Sequence, residues 1–209
     1  MHLHQLSHGS KMRDGTQLVA EEIVAADGDV SKVVHRDKSD HGGMLIKNTT
    51  FDYGRPIQTE HVPTTWTRKP SKNPIPDVMS AWKGCLFVSE RFKDVVEEFE
   101  PGVHQFLPAA LQTRGKIVAE MYYFVVCTRL DALDPGACIP PLEPGARMFA
   151  GVRAPGDKIV FDARKVAGHH VFHDRRVTGR FVSQEFRDAI EAGPFDAVRF
   201  LTPLEMSHL

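Results

Sequence analysis

Residues 86–106, LFVSERFKDVVEEFEPGVHQF, and residues 180–200, RFVSQEFRDAIEAGPFDAVRF, are two versions of one pattern. Aligned without a gap, the two segments agree at 7 of 21 positions. Each begins with a short apolar run that ends in Val-Ser, continues with apolar residues at helical spacing, and closes on Phe. We therefore expect each segment to form a strand, a helix and a return strand.

The serine of each pattern, Ser89 or Ser183, stands where the first strand ends and the helix begins. A hydroxyl at this position can accept a hydrogen bond from an unpaired N–H group of the first helical turn. A serine between a strand and a helix is also typical of a catalytic nucleophile, but both copies lack the glycines of the G-x-S-x-G pattern. We therefore interpret both serines as helix caps. The apolar stripes that follow them are Phe92, Val95, Val96 and Phe99 in the first copy and Phe186, Ala189 and Ile190 in the second.

Strand and helix patterns do not alternate regularly along the chain, which favours an α+β fold over a doubly wound α/β fold. We expect one mixed or antiparallel sheet that carries the duplicated strand–helix–strand unit, because two copies are too few for a solenoid. Residues 116–129 form a long predicted strand, and residues 147–152, 158–163 and 170–173 form shorter ones.

The composition of the chain changes at about residue 50. Residues 1–50 are polar and contain several Asp-Gly turn signals, so we expect a weakly ordered segment or a small lobe there. Residues 51–209 form a single predicted α+β domain with long proline-rich loops. Its first part, residues 53–76, carries five prolines, which favours an extended surface loop over a helix or a central strand.

Charge and hydropathy exclude several classes of protein. Lys and Arg number 26 against 27 Asp and Glu, so the net charge of −1 gives no field that would attract nucleic acid or an anionic membrane. The longest apolar run, residues 122–127, is far shorter than the roughly 20 residues of a membrane helix. The N-terminus lacks the apolar stretch of a secretory signal, so we expect a cytoplasmic protein.

Three of the 11 histidines, His169, His170 and His173, lie within five residues and suggest a metal site. The segment has the composition of a strand, in which His169 and His173 would lie about 13 Å apart, too far for joint coordination. Nucleotide-binding glycine loops and EF-hand calcium loops are absent from the sequence. We therefore expect no metal, no cofactor and no catalytic residue. A metal-assisted hydrolase that uses the three histidines is the alternative.

Candidate partner-binding residues come from two places in the chain. The predicted surface loop contains aromatic and arginine side chains, which dominate binding hot spots, although Trp66 could equally pack into the core. Glu97 and Glu98 form an acidic pair that suits a basic partner, although such a pair is also typical of a solvated helix face. The candidates are Tyr53, Arg55, Trp66, Arg68, Glu97 and Glu98.

A longer pattern resembles a known family. It starts with WKGCLFVSERFKDVVEEFEPGVHQF at residues 82–106, continues through the aromatic strand of residues 122–127, and closes on the second unit at residues 181–200. Over residues 75–203 the chain resembles a bacterial immunity family of polymorphic toxin systems, formerly a domain of unknown function, one set of which is named after a Myxococcus protein.

The resemblance implies an antidote and not an enzyme. Such proteins bind a toxin that is made by the same cell or delivered by a sibling, including effectors of type VI secretion, and block it by direct contact. The expected partner is a cognate toxin, without nucleic acid or membrane. A non-enzymatic adaptor that docks another protein through the proline-rich loop is a further alternative.

Overall fold

The computed structural model describes residues 3–18, 22–33, 54–80, 86–143 and 156–201. These residues form strands, α-helices and a 3₁₀ turn at Val30–Lys32. The strands are β1 (Leu3–His8), β2 (Ile23–Ala25), β3 (Thr65–Arg68), β4 (Val78–Ser80), β5 (Leu86–Val88), β6 (Gln105–Thr113), β7 (Lys116–Val125), β8 (Arg129–Leu130), β9 (Val171–Asp174), β10 (Arg180–Ser183) and β11 (Val198–Leu201). The helices are α1 (Glu90–Phe99), α2 (Ala163–Val166) and α3 (Gln184–Ala192).

The strands form two sheets. Sheet A has the order β11-β1-β10-β9-β8, and sheet B has the order β2-β3-β6-β7-β5-β4. The α+β class is confirmed, and the prediction of one sheet is wrong. Strand partners are distant in sequence, as in the pairing of Leu3 with Ser183. Local periodicity shows where a strand lies but not which strand it meets, so the sequence could not separate the two sheets.

The N-terminal segment contributes a central strand to sheet A. β1 lies between β10 and β11 and pairs antiparallel with both, and its Leu6 is buried. The prediction of weak order is therefore wrong for Leu3–His8, because ladder hydrogen bonds on both edges order a strand that is itself mostly polar. β2 likewise pairs with β3. The domain boundary near residue 50 stays a prediction.

Both repeated segments fold as strand, helix and strand, in the order β5-α1-β6 and β10-α3-β11. In each segment a strand from elsewhere separates the two strands: β7 lies between β5 and β6, and β1 lies between β10 and β11. Both predicted caps are confirmed, because Oγ of Ser89 accepts the N–H of Phe92 at 3.3 Å and Oγ of Ser183 accepts that of Phe186 at 3.2 Å. The segments lie in different sheets, and their origin from one duplicated unit stays a prediction.

Three apolar clusters hold these layers together. The first lies between the helices and one face of each sheet, and in it the rings of Phe92 and Phe186 are 6.2 Å apart. Because successive side chains of a strand point to opposite faces, the other face of sheet B forms a second cluster around Trp66. The other face of sheet A forms a third cluster around Phe172 and Phe181.

The proline-rich segment is not one continuous loop. Its residues Thr65–Arg68 form β3, which pairs with β2 and β6 inside sheet B, so the prediction that excluded a central strand is wrong there. The prolines flank the strand and therefore remove no hydrogen bond from its ladder. The prolines are Pro56, Pro63, Pro70, Pro74 and Pro76.

The other predicted strands differ from the observed ones in their boundaries. The long strand predicted at residues 116–129 is present as β7 and the short β8, and the one predicted at residues 170–173 is β9. Residues 158–163 make isolated bridges at Lys158 and Phe161 instead of a strand. Residues 147–152 lie outside the described residues.

Candidate functional site

Two of the candidate partner-binding residues lie in the interior. Trp66 is 1% exposed, and its ring lies 5.3 Å from that of Phe87 and 5.7 Å from that of Tyr123. Arg68 is 6% exposed, and its Nη2 donates a hydrogen bond to the carbonyl oxygen of Asn73 at 2.7 Å. Both side chains stand on β3 and stabilise the packing of sheet B, so neither presents a surface to a partner.

Three of the other candidates, Arg55, Glu97 and Glu98, are more accessible. Arg55 is half-buried, and Tyr53 lies outside the described residues. Glu97 is half-buried, and its Oε2 accepts the N–H of Gly102 at 2.9 Å, which stabilises the end of α1. Glu98 is exposed. Of the acidic pair, Glu98 is therefore the side chain best placed to meet a partner.

The outer faces of the two long helices, which pack side by side, are acidic. Three cationic side chains stand on these helices: Arg91 binds the carboxylate of Asp77, Nζ of Lys93 lies 4.8 Å from the centre of the Tyr122 ring, and Nε of Arg187 donates to Glu191 at 2.8 Å. These contacts leave a surface dominated by carboxylates. The exposed ones are Glu90, Asp94 and Glu98 on α1 and Glu185, Asp188 and Glu191 on α3.

The three clustered histidines have separate neighbours. Nδ1 of His170 lies 2.9 Å from Oγ of Ser183, and Nδ1 of His169 lies 3.9 Å from Oε1 of Glu100. His173 is buried within β9. In the part of the chain that the structure describes, no three His, Cys, Asp or Glu side chains are placed to hold a metal ion.

Glu100 is a buried carboxylate that sequence reasoning missed. It accepts hydrogen bonds from Nε2 of His104 at 2.9 Å and from the backbone N–H groups of His170 and Val171 at 3.1 and 2.9 Å. Nδ1 of His104 accepts the N–H of Cys127 at 3.1 Å, which places a ring proton on Nε2. Burial raises the pKa of Glu100, but these hydrogen bonds outweigh burial and hold the pKa below its ordinary value of 4.5.

Asp77 is a second buried carboxylate of this kind, with 3% of its surface exposed. Its Oδ1 accepts the hydroxyl of Ser89 at 2.6 Å, and Arg91 donates to both of its oxygens. Its Oδ2 accepts the N–H of Asp196, in the loop after α3, at 2.7 Å. Asp77 therefore links β4 of sheet B to the loop before β11 of sheet A.

Glu100 makes a second link between the two halves of the structure, because it joins the end of α1 to the start of β9 in sheet A. Two buried carboxylates thus fix the two sheets relative to each other. The linked residues are 119 positions apart for Asp77 and Asp196 and 70 positions apart for Glu100 and His170, so no local pattern could reveal them. One local feature does mark these two acids in the sequence. Each stands next to a proline at the boundary of a strand or helix, in Pro76-Asp77 and Glu100-Pro101.

Comparison with known proteins places the chain in a family. No helix among the described residues is long and apolar enough to cross a membrane. No curated protein matches the sequence. A model of an immunity protein family, Imm11, matches residues 16–203, which is most of the chain of 209 residues and extends the resemblance noted over residues 75–203. The resemblance is confirmed, and the chain belongs to the immunity protein family Imm11.

Proposed function

We propose that this protein neutralises a cognate bacterial toxin by direct one-to-one binding, without catalysis, in the cytoplasm. Membership of an immunity family over residues 16–203 carries the proposal. The polar groups that first suggested chemistry support it, because they have structural partners: Ser89 and Ser183 cap helices, and His170 meets the hydroxyl of Ser183.

The links between the sheets suit such a function. Asp77 and Glu100 hold the sheets and the ends of both long helices in one arrangement through hydrogen bonds that are buried and charge-assisted. A surface carried by a rigid scaffold loses less conformational entropy on binding than a flexible one. The protein is therefore suited to present a preformed surface to a toxin.

The acidic faces of α1 and α3 are one part of the proposed contact surface. A stable complex buries about 800 Å² on each partner, which is more than one helix face supplies, so the contact includes more than Glu97 and Glu98. Exposed carboxylates such as Glu98 would speed association with a basic toxin surface and would add little to affinity. Of the residues proposed from sequence, Glu98 and the half-buried Arg55 and Glu97 keep this assignment, as does Tyr53, which lies outside the described residues.

Co-expression tests the proposal. Bacteria that express the toxin encoded beside this gene should survive when this protein is present and die with an empty vector or an unrelated immunity protein. The two proteins should also elute together from a size-exclusion column as a one-to-one complex. Cell death despite abundant folded protein, with no complex on the column, would show that the proposed function is wrong.

A further inference from the structure

One face of sheet B is covered only in part. α1 lies on this face as far as Tyr122, where Nζ of Lys93 is 4.8 Å from the centre of the aromatic ring. The hairpin of β6 and β7 continues past Tyr122 through residues 116–121, and β3 and β2 lie beside β6. Ile117 and Glu120 are exposed there, so α1 leaves the outer part of the face uncovered.

Strand register places four side chains in one row across this outer part. Val24 of β2 pairs with Thr67 of β3, Thr67 pairs with Gln112 of β6, and Gln112 pairs with Ile117 of β7. Nε2 of Gln112 donates to Oγ1 of Thr67 at 3.1 Å, as expected of paired residues on one face. Trp66, next to Thr67, points to the opposite, buried face. The row and three neighbours from the next set of pairs form the open face, and these neighbours are Thr65, Ala110 and Glu120.

The two ends of the row are apolar. Ile117 is 62% exposed and Val24 is 54% exposed. Val118, which a β-bulge inserts next to Ile117, is 46% exposed. These are three of the five large apolar side chains that are exposed in the described part of the chain. Apolar side chains gathered in one exposed region, instead of scattered singly, are typical of a contact surface.

The charge beside the open face is negative. Glu120 is exposed and has no hydrogen bond or ion pair with another described side chain. Glu90 and Asp94, in the first turns of α1, are exposed as well. At the outer edge, Glu22 and Lys69 neutralise each other through an ion pair of 2.7 Å. The charge that is left for a partner near α1 is therefore that of carboxylates.

The cations of the hairpin stand at its tip. Arg114 lies in the turn itself. Lys116 pairs with Thr113, whose side chain points to the face opposite that of Gln112. The hairpin is thus acidic near α1 and basic at its far end. A partner that matches this order has basic side chains where it meets α1.

We propose that a basic surface of the cognate toxin docks across the open face and the adjoining start of α1. Apolar side chains of the toxin contact Ile117 and Val24, and its basic side chains face Glu120 and Glu90. The inference rests on the proposed function and adds an apolar contact to the acidic surface named there, because α1 buries its own apolar stripe in the core. Protein interfaces combine buried apolar contacts with complementary charges.

A second copy of this chain is the competing occupant, and charge favours it less. In a two-fold contact the same surface of both copies enters the interface. Glu90, Asp94 and Glu120 of one copy would then share an interface with the same three carboxylates of the other. Like charges that face each other oppose association. A basic toxin surface meets no such repulsion.

The first test compares Ile117→Lys with Ile139→Lys. Both isoleucines are exposed, at 62% and 46%, and each change adds one positive charge. Ile139 pairs with Lys158 outside the two sheets and serves as the control. Calorimetry measures the binding of the catalytically inactivated toxin, with melting temperatures as the folding check. We expect Ile117→Lys to bind at least about tenfold more weakly than the wild type and Ile139→Lys to stay within about twofold of it.

A second pair, Glu120→Lys and Glu60→Lys, tests the sign of the charge and decides the matter if Ile117→Lys melts early. Both carboxylates are exposed. Glu60 stands in the segment whose Ile57 and Val62 pack against the opposite face of sheet B. Glu120→Lys should slow association with the toxin severalfold more than Glu60→Lys at low salt, and the difference should shrink as salt is added.

Three outcomes would overturn the inference. Toxin binding that is equal within both pairs would overturn it while leaving the proposed function intact. If the wild type were a dimer that Ile117→Lys converts to a monomer, with unchanged toxin affinity, the open face would bind a second copy instead. If the wild-type protein itself bound no toxin, the proposed function and this inference would fail together.

Discussion

Asp77 and His170 occupy equivalent positions beside the two capping serines. The carbonyl oxygen of Asp77 accepts the N–H of Ser89 at 2.8 Å, and that of His170 accepts the N–H of Ser183 at 3.0 Å. The side chain of each also meets the hydroxyl of the same serine, at 2.6 Å for Asp77 and 2.9 Å for His170. The two capping serines therefore make the same set of contacts. The side chain that meets the hydroxyl is a carboxylate at α1 and an imidazole at α3.

This difference predicts unequal costs for removing the two hydroxyls. Ser183→Ala should lower the free energy of unfolding by about 1–2 kcal/mol, because the helix cap and a neutral hydrogen bond with the imidazole of His170 are both lost. Ser89→Ala should lower it by about 2–3 kcal/mol, because a hydrogen bond to the buried carboxylate of Asp77 is lost as well. Chemical denaturation measures both values, with the exposed Ser10→Ala as the control. Equal losses for Ser89 and Ser183 would contradict the contribution of Asp77.

The link through Glu100 predicts a specific pH dependence. Because the pKa of Glu100 is held below its ordinary value of 4.5, its stabilising contribution is complete above that pH and is lost as the pH falls through the lower, folded-state pKa. Glu100→Gln should lower stability at pH 7 by about 2–3 kcal/mol and should flatten the decline of stability below pH 4.5. Urea unfolding between pH 3 and 7 measures this, with the exposed Glu98→Gln as the matched control. If the stability of Glu100→Gln fell with decreasing pH as steeply as that of the wild type, Glu100 would not be the source of the pH dependence.

Trp66 should matter for stability and not for recognition. Trp66→Ala should lower the free energy of unfolding by about 3–5 kcal/mol, because it leaves a cavity between Phe87 and Tyr123. Trp66→Phe should cost less, because it keeps an aromatic ring in the cluster. Folded Trp66→Phe should bind the toxin with wild-type affinity. Lost affinity in a variant that melts normally would place Trp66 in the interface.

Removal of metal ions should have no effect on the protein. Treatment with a chelator, followed by elemental analysis, should leave the melting temperature and the protection against toxin unchanged. His169→Ala should likewise leave protection unchanged, since the side chain of His169 lies 3.9 Å from Glu100 at the edge of the buried cluster. Loss of protection on chelation, restored by adding back one transition metal, would favour the hydrolase alternative.

The sequence predicted the parts of this fold that depend on local patterns. Ser89, Ser183 and the apolar stripes after them define the two long helices within a residue or two, because caps and helical periodicity act over one or two turns. The family resemblance is carried by those segments and by the aromatic run of residues 122–127. It was therefore visible before the partners of any strand were known.

The rest of the fold depends on contacts between distant residues. Leu3–His8 is polar in sequence and ordered in the structure, because β10 and β11 supply hydrogen bonds to both of its edges. The prolines around Trp66 predict a surface loop, yet they stop short of the strand that buries this side chain. Gly9 and Arg13 form hydrogen bonds with residues 193–197, a proximity that no sequence spacing indicates.

Titration of the purified toxin with this protein tests the central claim most directly. The activity of the toxin should fall in proportion to the amount of protein added and should reach zero at one molar equivalent, independently of incubation time. That result is expected of an inhibitor that binds one-to-one with high affinity. Progressive inactivation of the toxin at one tenth of an equivalent would indicate catalysis, and undiminished toxin activity at several equivalents would exclude neutralisation by binding. Either result would contradict the account.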